Sequence, residues 1–184
     1  MSYHNIADIF GMIEKAQVRL TASVSGLTEM QENYRPAPDR WTIAENVEHL
    51  SIVNSGFLRL TFKLLKKAEA DPKPVIPDLA LLPITMTDEG KLKPGKLSAP
   101  ETVCPQGGVS VAEALAKNQS VINELFNLKS RLALVDLSEQ TWNHPALGQL
   151  NLYQWLLLLA EHEDRHRLQI EEVKASDAFP AREN

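Results

Sequence analysis

Apolar residues along this 184-residue chain recur at steps of three and four, the spacing of one face of an α-helix. Four long segments show this spacing, and none shows the alternation of apolar and polar residues that is typical of a strand. The first segment covers residues 5–33 and stops before 34–38, where two prolines end any helix. Its apolar face comprises Ile6, Ile9, Phe10, Ile13, Leu20, Val24 and Leu27.

The other three segments carry capping patterns at their N-termini. A Ser, Thr or Asn followed three residues later by Glu or Gln lets each side chain satisfy a free backbone amide of the first helical turn. This pattern opens the segments that begin at Thr42, Ser110 and Asn151, and they run to about residues 70, 126 and 175. The sequence therefore predicts an all-α protein built as a four-helix bundle.

A long connector separates the second and third predicted helices. It covers residues 71–108 and contains seven of the chain's eleven prolines. A connector of this length can cross the end of a bundle, so the two helices that it joins need not be antiparallel neighbours. Long connections are often functional, and we expect this one to border the open side of the functional site. The prediction is a single domain over 1–184 with a tail at 176–184.

Composition and charge narrow the classes of function. A formal net charge of −5 argues against a nucleic-acid partner, and the basic residues Lys63, Lys66 and Lys67 have the spacing of a solvated helix face. The single cysteine, Cys104, excludes an intramolecular disulfide and suits a reducing compartment. The N-terminus lacks a signal-peptide pattern, and the apolar run 156–160 is too short to span a bilayer. We expect a cytoplasmic protein with no membrane partner.

Two histidines share the core-facing stripe of the fourth predicted helix. At about 100° per residue, His162 and His166 lie one turn apart among the apolar residues of that stripe. Two imidazoles at this spacing can bind one metal ion, whereas two unpaired imidazoles in a core would be unfavourable. The alternative is two core histidines that hydrogen-bond to buried waters or carboxylates. His49 lies at the edge of the apolar face of the second helix, and nothing in the spacing links it to the other two.

His162 and His166 also complete the His-Glu-x-x-His pattern of zinc peptidases. Three features argue against a peptidase. Only 18 residues follow His166, Gln169 and Glu172 stand where the extended pattern has Gly and His, and no predicted strand could hold a peptide. Glu163 remains a candidate catalytic base beside the histidines.

Further polar and aromatic residues lie near the histidines in sequence. Four carboxylates are candidates to accept a hydrogen bond from a ligand imidazole, although most helix carboxylates are solvated: Glu45, Glu48, Glu163 and Asp164. His144 precedes the fourth helix in a predicted loop, and we assign it a structural role because His162 lies about 15 Å further along that helix. The three tryptophans, Trp41, Trp142 and Trp155, are interpreted as packing residues of the core and the helix ends.

Two stretches resemble the motifs of the DinB-like superfamily. The first is RWTIAENVEHL at residues 40–50, and the second starts with HPALG at 144–148 and continues through Trp155, His162, His166, Gln169 and Ile170. The resemblance implies a four-helix bundle of up-down-down-up order. It also implies a divalent metal ion, nickel or zinc, held by His49, His162 and His166.

The resemblance implies a function as well. Members of the superfamily include transferases that join bacillithiol or mycothiol to an electrophile, and a thiol-dependent isomerase. Three neutral ligands leave coordination positions open, as in catalytic sites. We therefore expect a metal-dependent thiol transferase with a small-molecule substrate and a low-molecular-weight thiol as cosubstrate, and a homodimer is one expected form. The alternatives are a metal-dependent hydrolase with Glu163 as base, and a non-enzymatic metal-containing stress or binding module.

Overall fold

The computed structural model describes residues 3–80 and 99–181. Its helices are α1 (Ile6–Ser23), α2 (Glu29–Glu32), α3 (Ile43–Ala70), α4 (Val111–Asn127), α5 (Lys129–Leu132) and α6 (Leu152–Lys174). The strands β1 (Thr141–His144) and β2 (Gly148–Asn151) lie between α5 and α6, and a 3-10 turn covers Glu101–Val103. In the described part of the chain, no helix combines the length and the apolar character that a membrane span requires.

The predicted capping boxes are confirmed at the start of three long helices. In each box the N-cap side chain accepts from the backbone N–H three residues further on, and the side chain at that position accepts from the N-cap N–H. The pairs are Thr42 with Glu45, Ser110 with Glu113, and Asn151 with Gln154. Because these bonds satisfy donors that the first turn leaves free, they define where α3, α4 and α6 begin.

The first predicted helix is interrupted. Apolar spacing predicts one helix over residues 5–33, but α1 ends at Ser23 and a separate capping box opens the short α2. Between them Gly26 has a φ of 67°, a left-handed conformation that ends a helix and suits glycine. Val24 and Leu27 still pack into the core across the break, so the apolar spacing continues although the helix does not.

A β-hairpin precedes α6, where the sequence predicted no strand. Its strands are antiparallel, with Thr141 opposite Asn151 and His144 opposite Gly148. Gly148 has a φ of 75°, which a residue with a side chain rarely adopts. Most residues of both strands are exposed or half-buried, so no apolar alternation marks them in the sequence. The prediction that the chain contains no strands is therefore wrong for this segment.

The four long helices α1, α3, α4 and α6 form the bundle, and the largest contacts join α1 to α6, α3 to α4, and α3 to α6. Asn54 in the middle of α3 bonds to Asn118 of α4, and Glu69 at the end of α3 binds Arg131 just after α4. Corresponding ends of α3 and α4 therefore meet. Phe57 of α3 packs against Trp155 near the start of α6.

The predicted connector over residues 71–108 is described at its two ends only, because 81–98 lie outside the described residues. At the upstream end, the carbonyl of Lys73 accepts from the amide of Asp136, and the amide of Leu79 donates to the carbonyl of His4. At the downstream end, residues 99–108 run past α3 before α4 begins.

The core is divided into two apolar clusters. Phe10 and Tyr153 belong to the larger cluster, and Leu20 and Ile170 belong to the smaller one. Between the clusters four buried polar side chains, one from each long helix, hydrogen-bond to one another, and these residues are called the polar layer below: Gln17, Asn54, Asn118 and Glu163. The histidines of α6 fall in the same interval of that helix, so the candidate site lies at the level of the polar layer.

Candidate metal centre

Three histidines from two helices meet inside the bundle. His49 comes from α3, and His162 and His166 come from α6. Their ring centroids lie 4.6 to 5.2 Å apart. One ring nitrogen from each histidine lies within 4.8 Å of the other two, and no other such group of three or more His, Cys, Asp or Glu occurs in the described part of the chain. The structure thus brings together the three residues singled out by the sequence.

Hydrogen bonds fix the tautomers of two of these rings. Nδ1 of His49 lies 2.7 Å from the carbonyl oxygen of Val103, which can only accept, so Nδ1 carries the proton. Nδ1 of His166 lies 2.9 Å from Oδ1 of Asn46 and donates to it. The orientation of the Asn46 amide is set in turn, because its Nδ2 donates to the carbonyl of Thr42. Each neutral ring therefore presents an unprotonated Nε2.

The spacing of the Nε2 atoms fits two ligands of one ion. Nε2 of His49 and Nε2 of His162 lie 3.4 Å apart. Two nitrogens that each lie 2.0–2.1 Å from a tetrahedral zinc ion are separated by about 3.4 Å. Nδ1 of His162 is buried and has no hydrogen-bond partner among the described residues. All three residues offer nitrogen, a donor that suits zinc, nickel and copper better than magnesium or calcium.

Burial keeps the three imidazoles neutral. It lowers the pKa of His49 below the ordinary value of 6.5, and it lowers the pKa of His166 well below that value. Burial also lowers the pKa of His162 to about 3, with smaller contributions from the charges of His49, Arg165 and His144. A neutral imidazole is the form that binds a metal, so the site is in its ligand form at neutral pH.

Aromatic rings border the histidines on two sides. Trp41 stacks on His166 at 5.9 Å with an angle of 18° between the rings, and it lies 4.8 Å from His49. Phe57 lies 6.5 Å from His162. The sequence interpretation of Trp41 as packing at a helix end missed this contact with the site. Helix periodicity gives no signal of it, because Trp41 precedes α3 and His166 lies on α6, and the available signal was the motif at residues 40–50 that Trp41 shares with His49.

Glu163 is directed into the polar layer. Its Oε1 accepts from Nδ2 of Asn54 at 2.7 Å, from Nδ2 of Asn118 at 3.3 Å, and from Nε2 of Gln17. The residue is fully buried, and burial raises its pKa to about 7. Its carboxylate does not belong to the histidine group. The role of Glu163 as a catalytic base stays a prediction, while its hydrogen bonds tie it to the other three long helices.

The other three flanking carboxylates have partners away from the imidazoles. Glu45 caps α3 and binds Arg35, and Asp164 binds Arg19 and Arg167. Glu48 accepts from two backbone amides after the 3-10 turn. The partners of the ligand imidazoles are instead the backbone carbonyl of Val103 for His49 and the neutral side-chain amides of Asn46 and Gln169 for His166.

His144 lies in the hairpin. Its Nδ1 accepts from the backbone amides of Ala146 and Leu147, both at 3.1 Å, and its ring lies 5.4 Å from that of Trp155. The segment before α6 folds back along the helix, which is the arrangement that brings His144 toward the site, and the charge of His144 contributes to the lowered pKa of His162. Its structural role stays a prediction.

A helical bundle that gathers three neutral histidines from two of its long helices defines a class of protein with a candidate metal centre in its core. Comparison with known protein families identifies the family to which the chain belongs. The model of the DinB superfamily matches residues 12–170, so the chain belongs to this superfamily. The resemblance found in the sequence motifs is confirmed.

Relatives and solved structures are distant in sequence. The uncharacterised protein YuaE of Bacillus subtilis is 22% identical over 167 residues, which cover 89% of this chain and 95% of YuaE. The crystal structure of TT2238, a four-helix bundle protein, matches with a TM-score of 0.59 at 18% identity and covers 91% of this chain and 99% of that one. YfiT of Bacillus subtilis matches with a TM-score of 0.58 at 16% identity over 95% of this chain and 89% of its own. YfiT is described as a probable metal-dependent hydrolase with an unusual four-helix bundle topology. At this identity the structural matches establish the four-helix bundle.

Proposed function

We propose that this protein binds one divalent metal ion, zinc or nickel, through His49, His162 and His166. The observation that carries the proposal is the 3.4 Å separation of the Nε2 atoms of His49 and His162 inside a buried cluster of three histidines. Three neutral imidazoles packed together without a shared ion would be unfavourable in a core. The similarity to YfiT, which is described as a probable metal-dependent hydrolase, supports the same proposal.

The proposed reaction joins the sulfur of a low-molecular-weight thiol to a carbon of a small electrophile, while that carbon's bond to chloride or to an epoxide oxygen breaks and the thiol proton passes to solvent water. A divalent ion held by three neutral ligands would favour ionisation of a thiol beside it. The chain's own residues hold the ligands in place: His49 and His166 are held in one tautomer by Val103 and Asn46, and Trp41 covers one side of the histidines. No carboxylate is required to take the proton from the thiol, which fits the bonding of Glu163 to three amides.

A metal-dependent hydrolase is the second candidate, and the description of YfiT favours it. A hydrolase needs a base that takes a proton from water, and Glu163 is the carboxylate next to a ligand in sequence. Its pKa of about 7 would suit a base. Its place outside the histidine group argues against this role, although only Oε1 is held by the three amides and Oε2 has no partner among the described residues.

Two finer features of the fold belong to the same proposal. We propose an up-down-down-up order for α1, α3, α4 and α6. The contacts between corresponding ends of α3 and α4 support it, as does the pairing of His49 with His162 and of Phe57 with Trp155 along α3 and α6. We also propose that the connector borders the site, and the hydrogen bond that His49 donates to the carbonyl of Val103 supports this.

Metal analysis tests the proposed centre. Protein purified without a polyhistidine tag should carry close to one divalent ion per chain, and His49→Ala, His162→Ala and His166→Ala should each lose it. The exposed His4 provides a matched control, so His4→Ala should keep the wild-type content. Unchanged metal content in His162→Ala would refute the site.

A thiol panel separates the two candidate reactions. Metal-loaded protein would be offered bacillithiol, mycothiol, glutathione and coenzyme A together with a chlorinated or epoxide electrophile. A transferase should keep most of its conjugating activity in Glu163→Gln and lose it in His166→Ala. Cleavage of an ester or amide that disappears in Glu163→Gln, with no thiol reaction above background, would establish the hydrolase instead.

A further inference from the structure

Two adjacent residues of α3 hold the same distant segment of the chain. The two carboxylate oxygens of Glu48 accept from the backbone amides of Gln106 and Gly107 at 3.1 and 3.0 Å. The next residue, His49, donates from Nδ1 to the carbonyl of Val103. Residues 103–107, called the clamped segment here, are therefore bound at three backbone atoms by neighbouring side chains.

The clamped segment is shaped to bind a carboxylate. Gly107 and Gly108 have φ values of 77° and 78°, conformations that side-chain-bearing residues rarely adopt. Successive backbone amides that converge on one anion form a concave binding site for it. Glu48 is 7% exposed, so both of its oxygens need such donors, and bonds to a charged acceptor are stronger than neutral ones.

The two ligand tautomers are secured in different ways. The acceptor for His166 is Asn46, which lies in the first turns of α3 and is itself held by a hydrogen bond to the carbonyl of Thr42. The acceptor for His49 is Val103, the last residue of the 3-10 turn Glu101–Val103, which lies in the downstream part of the connector and outside the long helices. The amides of Gln106 and Gly107, three and four residues further on, donate to Glu48 and anchor the chain that carries this carbonyl.

We infer that Glu48 is a positioning residue of the metal centre. By holding the clamped segment, it keeps the Val103 carbonyl where it selects the Nδ1-protonated form of His49 and leaves Nε2 free for the ion. The inference rests on the proposed metal function. It assigns a specific role to the downstream end of the connector, which is to set the tautomer of His49.

A pair of glutamine variants separates this role from a simple loss of charge. Glu48→Gln replaces one acceptor oxygen with an N–H₂ group that faces a backbone N–H. Glu45→Gln removes the same charge one turn before His49, but Glu45 bonds to Thr42 and Arg35 and not to the clamped segment. Competition with a chromophoric chelator should show Zn²⁺ bound about tenfold more weakly by Glu48→Gln and with wild-type affinity by Glu45→Gln. Equal weakening in both variants would overturn the inference.

A backbone variant tests the same contact without touching α3. Gly107→Ala strains the clamped segment at a φ of 77°, and Gly148→Ala imposes the same kind of strain in the hairpin at 75°, with no atom within 4 Å of the added Cβ at either position. Zn²⁺ affinity should fall in Gly107→Ala and stay near the wild-type value in Gly148→Ala. The Gly107 variant also decides the matter if Glu48→Gln fails to fold.

Imidazole nitrogen shifts in NMR spectra of the metal-free protein give a readout that needs no metal. Wild-type His49 should be protonated at Nδ1, Glu48→Gln should show a mixture of both tautomers, and His166 should stay Nδ1-protonated in both proteins. A wild-type tautomer of His49 in Glu48→Gln would overturn the inference. Because this measurement is independent of metal loading, failure of the proposed metal function and failure of the positioning role give different results.

Discussion

Asn46 is the residue on which the geometry of His166 depends. Its Oδ1 accepts from Nδ1 of His166 at 2.9 Å, and its Nδ2 is held by the carbonyl of Thr42. Asn46→Ala removes the acceptor, so the ring can rotate and change tautomer, and metal affinity should fall by about 10- to 100-fold. Chelator competition measures this directly.

Asn46→Asp is the matched control, because the aspartate keeps an acceptor oxygen for His166. It should retain most of the affinity for Zn²⁺. If Asn46→Ala binds Zn²⁺ as tightly as the wild type, the amide is a packing residue and the tautomer of His166 is set elsewhere.

Glu163 is a buried carboxylate whose charge opposes folding. Its pKa is raised by burial from 4.5 to about 7, so the folded protein binds this proton more tightly than the unfolded chain. The loss of folding free energy that this charge causes is absent well below pH 4.5. It grows as the pH rises from 4.5 to 7 and levels off above pH 7 at about 3 kcal/mol. Its Oε2 and Oδ1 of Asn54 are buried without partners among the described residues.

Glu163→Gln should therefore raise the free energy of unfolding at pH 8 by about 1–3 kcal/mol and change it little at pH 4.5. The amide oxygen of glutamine can still accept from the polar layer while no charge is buried. Urea unfolding of the metal-free wild type and variant at both pH values measures the difference, in which the shared titration of the histidines cancels. A difference that does not change with pH would show that the carboxylate is not the titrating group.

At the scale of elements, the N-terminal caps determine where the ligand-bearing helices start. Thr42 accepts from the amide of Glu45 at 3.1 Å, and Glu45 accepts from the amide of Thr42 at 2.8 Å. Thr42→Ala should lower the free energy of unfolding by about 1 kcal/mol, because an amide of the first turn loses its partner. Thr42→Ser keeps the hydroxyl and should be close to the wild type in urea unfolding. Equal destabilisation of both variants would point to the lost methyl group instead.

The features that the sequence did not predict, the hairpin and the break after α1, both leave the pattern of buried apolar positions unchanged. The hairpin before α6 is largely exposed, and the turn at Gly26 interrupts a helix without interrupting its apolar face. Apolar spacing reports which side of a segment is buried. It carries no information on backbone breaks that leave that side unchanged.

At the scale of the whole molecule, the candidate centre ties α3 to α6. An ion bound only in the folded state stabilises it by about 2.7 kcal/mol at a free concentration of one hundred times Kd. For a chain of this size, the thermal midpoint should rise by roughly 5–10 °C on addition of Zn²⁺ and return after chelation. His162→Ala should show no shift in scanning calorimetry. An equal shift in that variant would place the stabilising ion elsewhere.

The polar layer is the second feature that belongs to the whole molecule. Gln17, Asn54, Asn118 and Glu163 come from four different helices and form one hydrogen-bonded group between two apolar clusters. Each residue alone looks like an isolated polar interruption of an apolar helix face. Their shared network depends on the relative heights of the four helices, which no local pattern specifies.

The sequence by itself determined the four long helices, three of their starting points and the pairing of His162 with His166. All of these depend on residues within four positions of one another, where helix geometry is nearly invariant. His49 could be joined to that pair only through the motif resemblance, because it lies more than one hundred residues away in the chain.

Only the tertiary structure decided what surrounds the three histidines. It placed the Val103 carbonyl on His49, Trp41 against His166, and Glu163 among amides rather than in the histidine group. Each of these contacts joins residues from separate segments, and its existence depends on helix height, helix rotation and the path of the connector. Those quantities are set by the sum of many weak packing contacts along the whole bundle, so no short stretch of sequence contains them.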